Sequence, residues 1–357
     1  MRDAPTPPAA LAEVTRGALV ESIHWGYAAA VTGDGHLALA LGDPEQVVFL
    51  RSSAKPVQAF PSVAEGAADA FGFTDREVAL SCGSHEGEAI HRDAARSMLA
   101  KAGLSPDALR CGFKAPLNED EAEDLTRRGE TPTLLHNECS GEHAGMLALA
   151  VHLGASTDDY TEPDHPVQRR VLEAVARFTG LEADAIPTGT DGCSIPTFAV
   201  PLRAAARLAV RLVAPPAEWD EPTRAACERI VRSMTSHPEM VDGTRPDELI
   251  DSALMLAGRG RLVSKMGAEG LILVGVAPCE RWPTGLGVAV SVAEGDVDER
   301  ARSPIIVALL HRLGVLSDAD LDRLAPHRTI PVTDNKDEHV GEVRPAAQLL
   351  NADVLPA

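Results

Sequence analysis

Ser52 and Lys55 stand three residues apart, a spacing that puts a hydroxyl and an amine on one face of a helix. A lysine so placed can take the serine proton once burial or a nearby cation lowers its own hold on a proton. Arg51-Ser52-Ser53-Ala54-Lys55-Pro56 reads as a helix start, because proline is tolerated only in the first helical turn. The short apolar strand 47–50 runs straight into it. A helix N-terminus under a nucleophile would stabilise the negative charge that develops there. Taken alone, the same residues describe an N-cap serine and a solvated lysine. Lysine is scarce, however: Lys55, Lys101, Lys114, Lys265 and Lys336 are the only five, so each is more informative than usual.

The later segments weigh against the plainer alternative. Ser84 lies in a second serine-rich turn, Ser81-Cys82-Gly83-Ser84-His85. Ser264-Lys265-Met266-Gly267 closes an expected strand. SxxK, then an isolated serine, then Lys-x-Gly on a strand is the order used by penicillin-recognising serine enzymes, although Met266 stands where threonine is usual. Two cysteine segments follow a different logic. Cys139 falls at an expected helix start, where a thiolate is favoured, with Glu142 and His143 three and four residues on. Cys193 sits on a turn marked by Asp191-Gly192. Two thiolates with a carboxylate or imidazole can bind zinc and leave a fourth position for water. Equally, Cys139 could be core, Glu142 could complement a helix dipole and His143 could be an ordinary core or surface histidine.

Strands are expected at 22–31, 36–41 and 47–50, the first two joined by the turn Gly33-Asp34-Gly35. Helices are expected at 90–102, 140–153, 167–178, 202–212, 221–234 and 246–257. Strands return at 261–265, 271–276 and 286–292, and a helix at 300–313. Strands at both ends and helices in the middle indicate an α+β or α/β protein whose two chain ends build one sheet with flanking helices. Residues 1–357 are expected to form a single catalytic unit, with two packed lobes as the alternative, and residues 1–15 a loosely ordered tail.

Composition narrows the function classes. A formal net charge of -20 repels nucleic acid and anionic lipid, so neither is expected as a partner. No apolar run is long enough to span a membrane, and the first residues lack the apolar segment of a secretory signal. Six separated cysteines without a CxxC pair fit reduced thiols and a cytoplasmic location.

Five segments together resemble the thermolabile L-asparaginases of the Rhizobium etli type. They are Ser-Ser-Ala-Lys-Pro at 52–56, Gly-Ser-His-Glu-Gly at 83–87, Cys-Ser-Gly-x-His-Ala-Gly at 139–145, Thr-Asp-Gly-Cys-Ser-Ile-Pro at 190–196 and Ser-Lys-Met-Gly at 264–267. The resemblance runs from about residue 19 to residue 346. It implies a fold related to serine β-lactamases and glutaminases, a homodimer, and hydrolysis of L-asparagine to L-aspartate and ammonia. It implies two Ser–Lys pairs, Ser52 with Lys55 and Ser84 with Lys265. It also implies a zinc site on Cys139 and Cys193, and a substrate pocket lined by Arg51, His143 and Asp191. Ser52 is expected as the nucleophile and Lys55 as its base, with Ser84 and Lys265 relaying protons. Asp191 would hold the substrate ammonium, and Arg51 or His143 its carboxylate. One departure stands out: the family's third zinc ligand is a lysine, and this chain has Glu142 at that position. A carboxylate is an ordinary zinc ligand. The same change leaves two other expectations open, a glutaminase or related Ser–Lys amidase, and a weakly active metal-binding or ligand-sensing homologue.

Overall fold

The computed structural model describes residues 6–355 and divides the chain into two compact units. The sheet unit comprises the chain up to residue 53, residues 200–214 and residues 253–357; the helical unit comprises residues 54–199 and 215–252. The strands in chain order are β1 (Ala9–Arg16), β2 (Leu19–Thr32), β3 (Leu37–Leu41), β4 (Val47–Phe49), β5 (Thr188–Thr190), β6 (Pro196–Pro201), β7 (Leu262–Met266), β8 (Leu271–Val276), β9 (Leu286–Val292), β10 (Ile330–Thr333) and β11 (His339–Pro345).

Among the described residues of the sheet unit, eight strands form one sheet in the order β10-β11-β1-β2-β9-β8-β7, with β3 also paired to β2. All of these pairings are antiparallel. The two ends of the chain therefore do build one sheet, as the distribution of strand signals predicts. β8 and β9 are buried at every residue, so both of their faces are covered. Helices Leu202–Val213 and Arg302–Arg312 both pack on these two strands. Gly275 and Gly287 face each other across β8 and β9. A Cβ on Gly287 would lie 1.8 Å from the Ala206 carbonyl oxygen, and one on Gly275 2.7 Å from that of Ala209. Helix Leu202–Val213 thus rests directly on glycine backbone.

One expectation is overturned in this unit. Residues 9–16 are not tail but β1, held between β2 and β11, with Leu11 and Ala12 fully buried. The Ala- and Pro-rich start hid the apolar alternation. Residues 1–5 of the expected tail lie outside the described residues.

The helical unit is assembled around helix Ser140–His152, which is buried on all sides from Ser140 to Ala150. Helices Asp75–Ser81, Ala89–Lys101 and Pro166–Thr179 pack on it. The start of helix Asp75–Ser81 is fixed by a capping box, in which Thr74 N–H donates to Glu77 Oε2 at 2.7 Å and Glu77 N–H returns to Thr74 Oγ1. Asp220 caps helix Glu221–Ser236 through Thr223 N–H at 2.9 Å. Most expected helices are matched within two residues, but the one expected at 246–257 begins only at Ile250. No helix among the described residues is long and apolar enough to cross a membrane.

Replacing Gly287 by alanine forces a methyl group into the Ala206 backbone. Urea unfolding is expected to show a loss of about 3 kcal/mol for G287A; an unchanged midpoint would show that the helix does not rest on β9 as described.

Candidate active site

The SxxK segment is a 3₁₀ turn, Arg51–Ala54, followed by a single α-helical turn, Lys55–Gln58. The expected helix start is therefore present but tighter than an α-helix. Ser53 closes the turn, its hydroxyl and its N–H both donating to the Leu50 carbonyl, at 2.6 and 3.1 Å. Arg51 sits at φ 49, a left-handed conformation that a side chain with a Cβ rarely adopts. Strain of this kind clusters at sites where one residue must be aimed, and here the next residue is Ser52. Ser52 is half-buried.

The end of β7 lies against this turn. A Cβ on Gly267 would be 2.7 Å from the Leu50 carbonyl oxygen and 3.2 Å from Ser53 N, so only glycine permits the approach. Lys265, two residues earlier, is buried, and its Nζ donates to the Met266 carbonyl at 2.9 Å. Arg302 Nη1 donates to the Gly267 carbonyl at 2.6 Å. Asp296 in turn accepts the N–H groups of Ala301 and Arg302, both at 2.9 Å. Nothing in the sequence pattern marked Arg302 and Asp296 as supports of the Lys-x-Gly strand.

In the helical unit Lys55 is buried, only 2% exposed. Its ammonium donates to the Gly83 carbonyl at 2.8 Å and to Cys139 Sγ at 3.2 Å, and it stands 3.2 Å from Glu142 Oε2. Gly83 and Cys139 take two of its three donors as hydrogen bonds, and Glu142 adds an opposite charge. Burial works against the charge on Lys55, but the negative charges of Cys139 and Glu142 outweigh it and hold the ammonium well above its usual value. The Cys139 thiol is lowered, by its hydrogen bond with Cys193 first and also by Lys55, while burial opposes the shift. Cys193 is raised, by Cys139 and by burial. The Cys139 thiol thus gives up its proton more readily than the Cys193 thiol, beside a buried cation.

Each member of the cluster is placed by local structure. Cys139 is the N-cap of helix Ser140–His152, and its N–H donates to Asn137 Oδ1 at 2.8 Å. Glu142 lies in the first turn of that helix, where a carboxylate complements the helix dipole. Cys193 is presented by the loop between β5 and β6, closed by Asp191 N–H to Ile195 O at 2.8 Å and Ser194 N–H to Asp191 O at 2.9 Å. Ser194 has φ 76, a second strained residue next to a site residue. Cys139 Sγ, a Glu142 carboxylate oxygen and Cys193 Sγ all lie within 4.8 Å of one another, and all three residues are buried. Two sulfurs and a carboxylate at this spacing are a donor set that fits zinc.

Ser84 follows the carbonyl that Lys55 grips. Its backbone runs between two segments of the helical unit: Ser84 N–H donates to Val241 O at 2.8 Å, His85 N–H to Glu138 O at 3.1 Å and Glu86 N–H to Asp242 O at 2.7 Å. A Cβ on Gly83 would meet the Val241 carbonyl oxygen at 2.6 Å, so glycine is required there. His85 accepts from Gly87 N–H through Nδ1 at 3.1 Å, which leaves Nε2–H to donate to Ser140 Oγ at 3.0 Å. Burial, together with the stacked His91, keeps it well below the usual histidine value. Ser84 Oγ itself is buried and has no hydrogen-bond partner among the described residues.

His143 shows the same pattern. Tyr160 accepts from Arg110 N–H at 2.9 Å, so its own proton goes to His143 Nδ1 at 2.6 Å. Burial, reinforced by Lys55, lowers His143 to about 3, so the ring is neutral and carries its proton on Nε2. That Nε2 is buried and has no partner among the described residues. No sequence pattern marked Tyr160, which lies in an irregular segment with no helical or strand periodicity.

The family model for L-asparaginase II matches residues 12–345. The chain belongs to that family, the Rhizobium etli-type asparaginases. Membership makes it an amidohydrolase. No curated protein matches the chain. Among solved structures it is similar to a probable glutaminase from Bacillus subtilis complexed with 6-diazo-5-oxo-L-norleucine, at 9% identity and TM-score 0.39, covering 82% of this chain and 85% of that one. It is also similar to a β-lactamase from Burkholderia ambifaria, at 15% identity and TM-score 0.33, covering 85% of this chain and 92% of that one.

Removing Lys55 would leave the Glu142 carboxylate buried without its cation. K55M is expected to lower the unfolding free energy by about 3–5 kcal/mol, and K55M/E142L to recover a large part of that loss. Denaturant unfolding checks both; additive losses would show that the pair does not interact.

Proposed function

We propose that the protein is an L-asparaginase that hydrolyses L-asparagine to L-aspartate and ammonia through Ser–Lys chemistry. Ser52 Oγ attacks the side-chain amide carbon, and an aspartyl ester forms on the serine as ammonia leaves. Water then cleaves the ester. Lys55 serves as the base for Ser52 once it has given up the proton that Cys139 and Glu142 hold on it, and Ser84 with Lys265 passes the proton to the departing nitrogen. The observation that carries this proposal is the pair of buried polar atoms, Ser84 Oγ and His143 Nε2, without partners among the described residues. Buried polar groups are ordinarily hydrogen-bonded, so two such atoms call for a polar ligand. His143 Nε2–H suits the substrate α-carboxylate, Arg51 offers it a guanidinium, and Asp191 suits the α-ammonium.

Cys139, Glu142 and Cys193 would hold a zinc ion. Bound there, it would supply positive charge that neutralises the groups now holding the Lys55 proton. A second function is favoured by one contact, the buried Lys55–Glu142 pair: a lysine fixed as an ammonium is a poor base, which suits a weakly active ligand-sensing homologue. A glutaminase would use the same residues. We also propose a homodimer, supported by the apolar side chains left exposed at the start of β2, with Leu19 76% and Trp25 45% exposed.

Ammonia release from L-asparagine, L-glutamine and a β-lactam, measured in parallel, separates these outcomes. Turnover is expected to be fastest with asparagine and to fall at least about a thousandfold in S52A. Mass spectrometry of the trapped ester is expected to place it on Ser52; an adduct on Ser84 alone would reverse the two serines. Elemental analysis of the same sample is expected to find zinc in the parent and none in C139A/C193A, and light scattering to give twice the chain mass. No turnover on any amide, combined with thermal stabilisation by asparagine, would leave the sensor.

A further inference from the structure

A cavity of about 520 Å³ opens in the sheet unit, lined from helices Arg302–Arg312, Asp318–Arg323 and Ala347–Leu350 and from β11. None of its lining residues belongs to the candidate active site. Val307, Leu321 and Leu350 give it apolar walls, and His311, Arg312 and Arg328 give it three basic groups.

His311, Arg312 and Arg328 are all exposed. Asp and Glu outnumber Lys and Arg by 53 to 33, so an arginine has acids to spare as partners. His311 follows that expectation, its Nε2 standing 3.2 Å from Asp318 Oδ1. Arg312 does not: its Nε donates to the Ala352 carbonyl at 3.0 Å, and it makes no ion pair among the described residues. Arg328 makes neither a hydrogen bond nor an ion pair among the described residues. Two guanidinium groups without carboxylates thus line one half-apolar cavity.

A guanidinium presents a planar fork that matches a carboxylate. The net charge of -20 opposes the retention of a simple anion, so charge alone does not hold a ligand there. An apolar body against the walls supplies what the charge lacks. The volume lies within the range of small-molecule sites. We infer that this cavity binds a small amphipathic monocarboxylate, its head on Arg312 and Arg328 and its hydrocarbon body on Val307, Leu321 and Leu350. Asparagine, with no apolar body, is not such a ligand, and the inference stands independently of the proposed asparaginase activity.

Calorimetric titration of the full chain with octanoate tests it. Saturable binding at one site per chain is expected, strengthening roughly threefold per methylene along butyrate, hexanoate and octanoate. Octanamide, and octanoate with R328Q, are each expected to bind at least tenfold more weakly. Arg328 anchors nothing else, so R328Q tests the head group without disturbing the Ala352 contact. The inference is overturned if octanoate does not saturate, if octanamide binds equally well, if R328Q matches the parent, or if L-asparagine displaces octanoate.

Discussion

A buried ammonium has to be surrounded by acceptors, and much of the helical unit's local geometry follows from supplying them to Lys55. Three groups from separate segments converge on its Nζ: the Gly83 carbonyl, Cys139 Sγ and the Glu142 carboxylate. Charges out of water are costly unless paired and hydrogen-bonded. The convergence meets that cost and also sets the charge state of the site. Glu142 matters most here. Its carboxylate pairs with Lys55. It also completes a donor set of two sulfurs and one carboxylate.

The supports around this centre share one device, close backbone approach at glycine. Gly83 lets the serine turn run against residues 240–241, and Gly267 lets the end of β7 meet the Leu50–Ser53 turn. Two strained residues lie next to candidate site residues. Arg51 precedes Ser52 and Ser194 follows Cys193, both at positive φ. Neutral histidines complete the frame. His85 and His143 each spend one ring nitrogen on a structural contact, and burial keeps both uncharged.

Much of this was legible in the sequence. The residues that gather around Lys55 were visible as candidates because each lies in a compact motif with turn or helix-start signals: Lys55 after a short strand, Cys139 at a helix start, Cys193 after Asp191-Gly192. The union of both chain ends in one sheet followed from the distribution of strand signals. What was hidden depends on partners distant in sequence. Tyr160 fixes the His143 tautomer from an irregular segment, and Arg302 with Asp296 supports Gly267 from a loop and a helix start more than 25 residues away. β1 was hidden because alanine dominates its apolar face. The pairing of Lys55 with Glu142 was equally out of reach, because helical periodicity places residues on faces but does not say which faces meet.

The central claim is that Lys55 is held as an ammonium by Cys139 and Glu142. With only five lysines in the chain, a pH titration of protein labelled with carbon-13 at lysine Cε, treated with chelator and assigned with K55M, reads that charge directly. The account predicts that the Lys55 resonance stays in its charged position through and beyond about pH 10.4, where free lysine titrates. A Lys55 midpoint below about pH 9 would contradict it.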